Sequence, residues 1–473
     1  MSEARAGEAK FLTGPTMGHV VTMTATGSIG LVAIFIVDAL NLFYISLLGQ
    51  EELAAAIGYA GTLMFFAISV AIGMTIGASA LVARALGAGD RERAARNGGA
   101  ALLFIGLSMT AIAALIWPNL HFLTGLLGAR GETQAIAVGF LQIVVPSTPA
   151  VAIGMGAAGI LRAVGDARRA MYVTLIGGAI SAALDPVFIF GLDLGVTGAA
   201  IATVISRCAI LAIGLHGAIV VHNLVRLPDP ATLTGIARPF LLIAGPAVMT
   251  QLATPVGNAY VTAQIAQFGD DAVAGWAVIG RLIPVAFGAV FALSGAVGPI
   301  LAQNLGARKY DRLRSAMRDA LIFTIIYVLS VCAALAIFAE PIADLFGATG
   351  QARELIVFFC LFAAISFLFN GGLFVANAAF NNLGYALYST MFNWGRSTLG
   401  VIPFVWAGAK LYGATGAIAG WALGAVVFGI ASVIVCFRVI ATIEHRDDAE
   451  PPTGPVPPTA QSPFTSAKGA TLG

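Results

Sequence analysis

Charge is scarce in this chain. Of 473 residues only 10% are Asp, Glu, Lys or Arg, against about 25% in soluble domains, which excludes an ordinary soluble globular protein. The formal net charge is +2, which points to neither nucleic acid nor a strongly acidic partner. Four cysteines, Cys208, Cys332, Cys360 and Cys436, stand singly in apolar runs with no CxxC spacing, so packing is their expected role. The five histidines are equally dispersed, which argues against a metal centre. No Ser/His/Asp constellation, HExxH helix or Gly-rich nucleotide loop is present, so no enzyme and no ATP-driven pump is indicated.

What the chain has instead is apolar residues, 59% of the total, with a mean hydropathy of +0.91. A helix needs roughly 20 apolar residues to cross a bilayer. Runs of that length recur near 19–48, 54–83, 98–118, 135–161, 170–192, 196–221, 238–267, 272–304, 317–339, 354–381, 387–409 and 413–438. The expected fold is therefore an all-α integral membrane protein of twelve spans. The first run is too long for a signal-peptide core. The Pro-rich, charged stretch 444–473 cannot bury a core and reads as a disordered tail.

Loop charges give an orientation. The loops after spans 2, 4, 6 and 8 carry Arg91, Arg93 and Arg96; Arg168 and Arg169; Arg226; and Arg308, Lys309, Arg312 and Arg314. The opposite loops carry only Arg130, Arg353 and Lys410. By the positive-inside rule the first set, and with it both termini, is cytoplasmic.

The sequence also repeats. ALVARALGAGDRERAAR (80–96) and LAQNLGARKYDRLRS (301–315) align at a single offset, which pairs Gly87 with Gly306 and Arg93 with Arg312. GVTGA (195–199) and GATGA (413–417) align in the same register, shifted by one position. Six spans per repeat make the two halves parallel, as in transporters that alternate access by rocking one bundle against the other. The expected division is 1–18 as a cytoplasmic lead-in, 19–221 as the first lobe, 222–237 as a linker and 238–443 as the second lobe. GMTIG (73–77) and GAIAGWALG (416–424) carry the spacing of close helix contacts. Pro146, Pro149, Pro255, Pro284 and Pro403 interrupt spans.

Two acids lie well inside spans: Asp38 and Asp185. Asn41 and Ser181 share their helix faces, and Thr203 on span 6 reaches a matching depth. Such a group of oxygens suits a small hard cation; without a metal, a proton is the natural ligand. Intramembrane acids are functional by default. Arg207, one turn past Thr203, is the candidate counter-ion of a purely structural reading. The second half has no acid at the equivalent positions, Gly257 and Ile402 or Pro403. It offers Gln251, Asn258, Tyr260, Asn370 and Asn377, with seven phenylalanines in 358–380, a surface suited to a bulky, partly apolar ligand. Arg281 and Arg396, also in second-half spans, are expected to be paired or bound to backbone.

VDALNLFYISLLGQEELAAAIG (37–58), LVARALGAGDRERAAR (81–96), ALDPVFIFGLDLGVTGAAIAT (183–203) and LAQNLGARKYDRL (301–313) resemble the multidrug and toxic compound extrusion (MATE) family. The resemblance runs from span 1 to span 12 and is nearest to the DinF-like branch. It implies a two-lobed antiporter exporting organic compounds or drugs in exchange for H+ or Na+, with no cofactor, as a monomer in the cytoplasmic membrane. It also implies a first-lobe cation site at Asp38, Asp185, Ser181 and Thr203. Ser181 stands where the family commonly has asparagine, which favours protons over metal. The rival reading is a lipid or glycolipid flippase of the broader superfamily.

Overall fold

A computed structural model describes residues 9–46 and 51–449, with the side chains of 38, 39, 41–43, 45, 46, 51, 52, 54 and 446–449 outside the description. The described chain is helical almost throughout. Eleven stretches are long and apolar enough to cross a membrane. The last, Ala386–His445, has 60 residues. At about 1.5 Å per residue one helix of that length would be far too long for a bilayer. Its helical geometry fails at Tyr412 and at Gly413, whose φ is +65°. Two spans therefore meet there, and the total is twelve.

We number the crossings α1 (Thr16–Ser46), α2 (Glu51–Gly87), α3 (Arg91–Ile116), α4 (Gly131–Val164), α5 (Ala167–Pro186), α6 (Gly195–Leu215) and α7 (Pro230–Ile265). Next come α8, in two pieces, Asp270–Ala286 and Gly288–Gly306, and α9, Tyr310–Ile337. Then follow α10, Gly350–Leu361 and Phe367–Leu383; α11, Ala386–Ser397 continuing over 402–411; and α12, 414–449. Helix α12 thus continues to Ala449, well into the expected tail, where Glu444 pairs with Arg314. Residues from 450 onward lie outside the described residues.

Proline accounts for several interruptions. In α4 a 3-10 turn spans Val145–Ser147. Pro146 has no N–H to give to Gln142 O, and that carbonyl instead accepts from Trp117 Nε1 at 3.1 Å. Pro149 likewise leaves Val145 O, which the Thr148 hydroxyl takes at 2.8 Å. Pro284 precedes the break of α8 at Phe287, and Pro403 follows the break of α11 at 398–401. Pro255, by contrast, sits inside a continuous α7.

The chain forms two compact units. Among the described residues, one holds 9–10 with those of Ile29–Val248, and the other holds Phe11–Ser28 with 249–449. The boundaries fall inside α1 and α7, so relative to a division at 222–237 the units exchange the first parts of these two helices. In the first unit α2 is the reason for α7: Gly73 faces Val248, and Gly77 faces Phe240 and Ala244. In the second unit the lead-in to α1 is clasped by the repeat motif. Phe11 is buried, its N–H donates to Gln303 Oε1 (2.9 Å), and Arg312 donates to the carbonyls of Phe11, Thr13 and Gly14.

The two glycine-spaced segments both form close contacts. In the second unit α11 and α12 approach backbone to backbone. A Cβ on Gly416, Gly420 or Gly424 would lie 2.1, 2.1 or 1.8 Å from the carbonyl oxygens of Gly408, Phe404 and Gly400. The core of this unit is aromatic: Phe287 stacks on Phe367 at 4.0 Å between centroids, and Trp276 and Trp421 meet edge to face.

One charged cluster lies outside the spans. Asp166 caps α5, accepting from Arg169 N at 3.1 Å and pairing with His222 Nε2 at 2.9 Å. Burial works against its charge, but the bonds from His222 and Arg169 outweigh it and hold the carboxyl well below the usual carboxylate range.

Candidate functional site

The acid on α5 is where the first unit concentrates its unusual features. Asp185 is fully buried, at 0% exposure. Ser181, one turn earlier on the same face, donates to Asp185 Oδ2 at 3.3 Å. The other carboxylate oxygen, Oδ1, is buried without a partner. Pro186 follows directly, and the helix then widens into a π turn over Val187–Gly191. Such turns recur at functional sites, and neither the turn nor its position beside the acid was legible in the hydropathy pattern.

The other expected members are placed less closely. Thr203 is half-buried on α6, and its hydroxyl donates to its own helix at Ala199 O, 2.9 Å away. Asp38 and Asn41 lie on α1, but their side chains are outside the described residues. Helices α1 and α5 do approach each other in this unit, since a Cβ on Gly30 or Gly178 would meet Thr174 or Val37 respectively. Helices α5 and α6 are tied by Ser206 Oγ donating to Gly177 O at 2.7 Å.

Arg207 is not the counter-ion of Asp185. Its Nη1 donates to Val144 O (3.0 Å) and Ser147 Oγ (3.1 Å), and its Nη2 reaches Met64 Sδ. The guanidinium turns to the 3-10 turn of α4, where it shares Val144 O with the Ser147 hydroxyl, which itself donates to that carbonyl at 2.7 Å. Among the described residues no basic group comes within 4.0 Å of Asp185. The acid is thus buried, half-satisfied and, among the described residues, without a basic partner.

In the second unit the expected residues divide. Asn370 is buried and its Oδ1 accepts from Arg396 Nη1 at 3.4 Å. Asn377 is buried, with Oδ1 unpartnered. Tyr260 Oη donates to Ile402 O at 3.4 Å, Gln251 is half-buried, and Asn258 is exposed. The phenylalanines 359, 367 and 380 are core residues, whereas Phe358, Phe369 and Phe374 are half-buried and Phe362 is exposed. Among the described residues Arg396 has neither an acid nor a backbone carbonyl as partner, contrary to expectation, and its bonds go to side-chain oxygens.

Twelve membrane helices in two repeats, with an uncompensated acid inside one unit, define a membrane transporter. Comparison with known proteins gives the family. The MatE family model matches residues 28–187 and again 246–407, so the chain belongs to the MATE family. The second match begins where the register of the internal repeat places the start of the first, to within one position. A FAD transporter of Shewanella oneidensis is 27% identical over 439 residues, covering 92% of this chain and 97% of that protein. The multidrug export protein MepA of Staphylococcus aureus is 26% identical, covering 87% and 91%. Among solved structures, the Vibrio cholerae MATE transporter VcmN in its bent form superposes with a TM-score of 0.86 at 25% identity, covering 91% and 98%. An outward-facing MATE transporter shares the fold, with a TM-score of 0.87 at 21% identity and 94% of this chain covered. The chain is a multi-pass membrane transporter and not an enzyme.

Proposed function

We propose that the protein is a secondary antiporter that exports organic compounds across the cytoplasmic membrane in exchange for H+, with Na+ as the alternative coupling ion. The observation that carries this reading is Asp185: fully buried in a span and, among the described residues, bonded only to Ser181, with one oxygen free and no cation beside it. A proton fits that arrangement better than a metal. Hard cations of the sodium and calcium type take roughly six oxygens, and Thr203 has turned its hydroxyl to its own helix. Asp38 and Asn41 on α1 complete the coupling group in this reading, as their helix packs against α5 in the same unit.

Protonation from outside neutralises the carboxyls and changes how α1, α5 and α6 pack, and substrate leaves on that side. The carrier then returns and discharges its protons inward, driven by the gradient. Loop charge supports a cytoplasmic position for both termini. The names of the relatives, a FAD transporter and a multidrug exporter, support organic cargo.

The test is dye transport in reconstituted vesicles under an imposed pH or sodium gradient. Wild type should move dye with the pH gradient, and Asp38→Asn and Asp185→Asn should not. Undiminished gradient-driven transport in both variants would remove the acids from the mechanism. Transport of a fluorescent lipid with no response to either gradient would favour the flippase reading.

A further inference from the structure

Arg396 is a buried charge for which the described residues of the second unit provide no counter-charge. Its side chain is 7% exposed, in the span formed by α11. Nη1 donates to Asn370 Oδ1 at 3.4 Å, Nη2 donates to Thr254 Oγ1 at 3.0 Å, and Nε has no partner. Both acceptors are neutral. Among the described residues no carboxylate lies within 4.0 Å of it. A lone cation within a membrane span is expensive, so its retention calls for an anion from elsewhere.

The backbone supplies a second observation. Helix α11 breaks at residues 398–401, directly after Arg396 and near the middle of its span. Discontinuous spans are where transporters of several folds hold their cargo. Ser397 Oγ, at the edge of the break, is also buried without a partner. Helix α7 comes against this point so closely that a Cβ on Gly257 would meet Ser397 Cβ, Cα and O at 3.1 to 3.2 Å.

The repeat supplies the third. In its register Gly257 takes the place of Asp38, and Gly177 or Gly178 stands where the second half has Arg396. Where the first repeat has Asp38 the second has Gly257, and where the second has Arg396 the first has glycine. Related helix pairs, α1 with α5 and α7 with α11, thus carry charge of opposite sign.

We propose that Arg396, with Asn370 and Thr254, binds a carboxylate or phosphate group of the transported organic compound. The guanidinium presents paired N–H groups in one plane, which match two oxygens of such an anion. Its Nε is free, and the Asn370 contact is long for a hydrogen bond, so an anion displaces little on arrival. This assignment rests on the transporter reading above and names part of its substrate class.

The test uses two dyes with one xanthene core and opposite charge, carboxyfluorescein and rhodamine 6G. Their binding to the purified full chain in detergent is followed by fluorescence anisotropy. Wild type is expected to bind both. Arg396→Gln should weaken carboxyfluorescein by about tenfold or more, the loss of a charge-assisted bond, and leave rhodamine 6G within about twofold. Arg396→Lys should fall between, and inorganic phosphate should compete with carboxyfluorescein in wild type only.

Three results overturn the proposal: wild type that binds no carboxyfluorescein, Arg396→Gln that binds it unchanged, or equal loss of both dyes in a variant with wild-type Tm. Phosphatidylglycerol that displaces carboxyfluorescein more strongly than phosphate does would assign the site to a lipid headgroup and overturn it as well. Gradient-driven transport is measured separately. Wild type that binds carboxyfluorescein yet moves no dye under any gradient leaves the site standing and removes the antiporter; gradient-driven rhodamine efflux with no anion binding does the reverse.

Discussion

The two units of this protein share a helix plan, but among the described residues the first buries an acid, Asp185, besides Arg207, whereas the second buries Arg396 and no acid. The first holds Asp185 beside a proline and a π turn, and the second holds Arg396 beside a broken span. Each charge is left without a counter-charge among the described residues, and each sits where the backbone ladder is interrupted. A duplicated scaffold can therefore keep its packing while the chemistry of its halves diverges. Glycine marks two of the changed positions: Gly257, in the place of Asp38, is pressed against Ser397, and Gly178, in the place of Arg396, against Val37.

The comparison breaks most readily at the acid. Asp185→Asn is expected to lower pH-driven transport by about tenfold or more, equivalent to about 1.4 kcal/mol or more, while dye binding measured without a gradient persists. A variant that still responds fully to the gradient would leave the first unit with no special role.

Next in size is the packing contrast. Gly424→Ala should destabilise the second unit by at least about 1–3 kcal/mol, because its Cβ would meet Gly400 O at 1.8 Å. Gly77→Ala in the first unit meets only side-chain atoms at 3.2 Å and beyond and should cost less. Thermal unfolding in detergent compares the two, and equal Tm values would deny the difference.

The two buried arginines sharpen the contrast further. Arg207 is held by Val144 O and Ser147 Oγ, so Arg207→Met should lose about 1–3 kcal/mol of stability and leave the preference between anionic and cationic dye as in wild type. A changed preference would make Arg207 a second recognition group.

The smallest effect is expected at the helix cap. Asp166→Ala should cost about 0.5–2 kcal/mol at neutral pH. The folded carboxyl is held below its unfolded value, so its stabilisation is complete above about pH 4 and fades as pH falls through the depressed value. The gap in Tm between wild type and Asp166→Ala should therefore close in strong acid. A gap that widened in acid would reverse the sign.

The spans, the repeat and the pairing of Ser181 with Asp185 could be read from the sequence, since hydropathy and helical spacing are local properties. The fate of Thr203 could not. A threonine surrounded by apolar side chains satisfies its hydroxyl on the preceding turn, and that outcome depends on what stands opposite. Arg207 was equally opaque: its long side chain has several acceptors in reach, and the carbonyl it uses is opened by a turn around Pro146 on another helix. The breaks at Phe287 and 398–401 are hidden for a related reason, because apolar residues run through them without a change of composition. Arg396 was visible as a charge in a span, but its isolation emerges only once all its neighbours are known.

Trp394, two positions before Arg396, donates its indole N–H to Met249 O at 2.9 Å. Met249 is the first residue of the second unit on α7. The chain therefore carries a native fluorophore hydrogen-bonded at that boundary, and any shift of the Met249 carbonyl must alter its emission wavelength. Replacing the other four tryptophans with phenylalanine would give an optical reporter of turnover that needs no attached label.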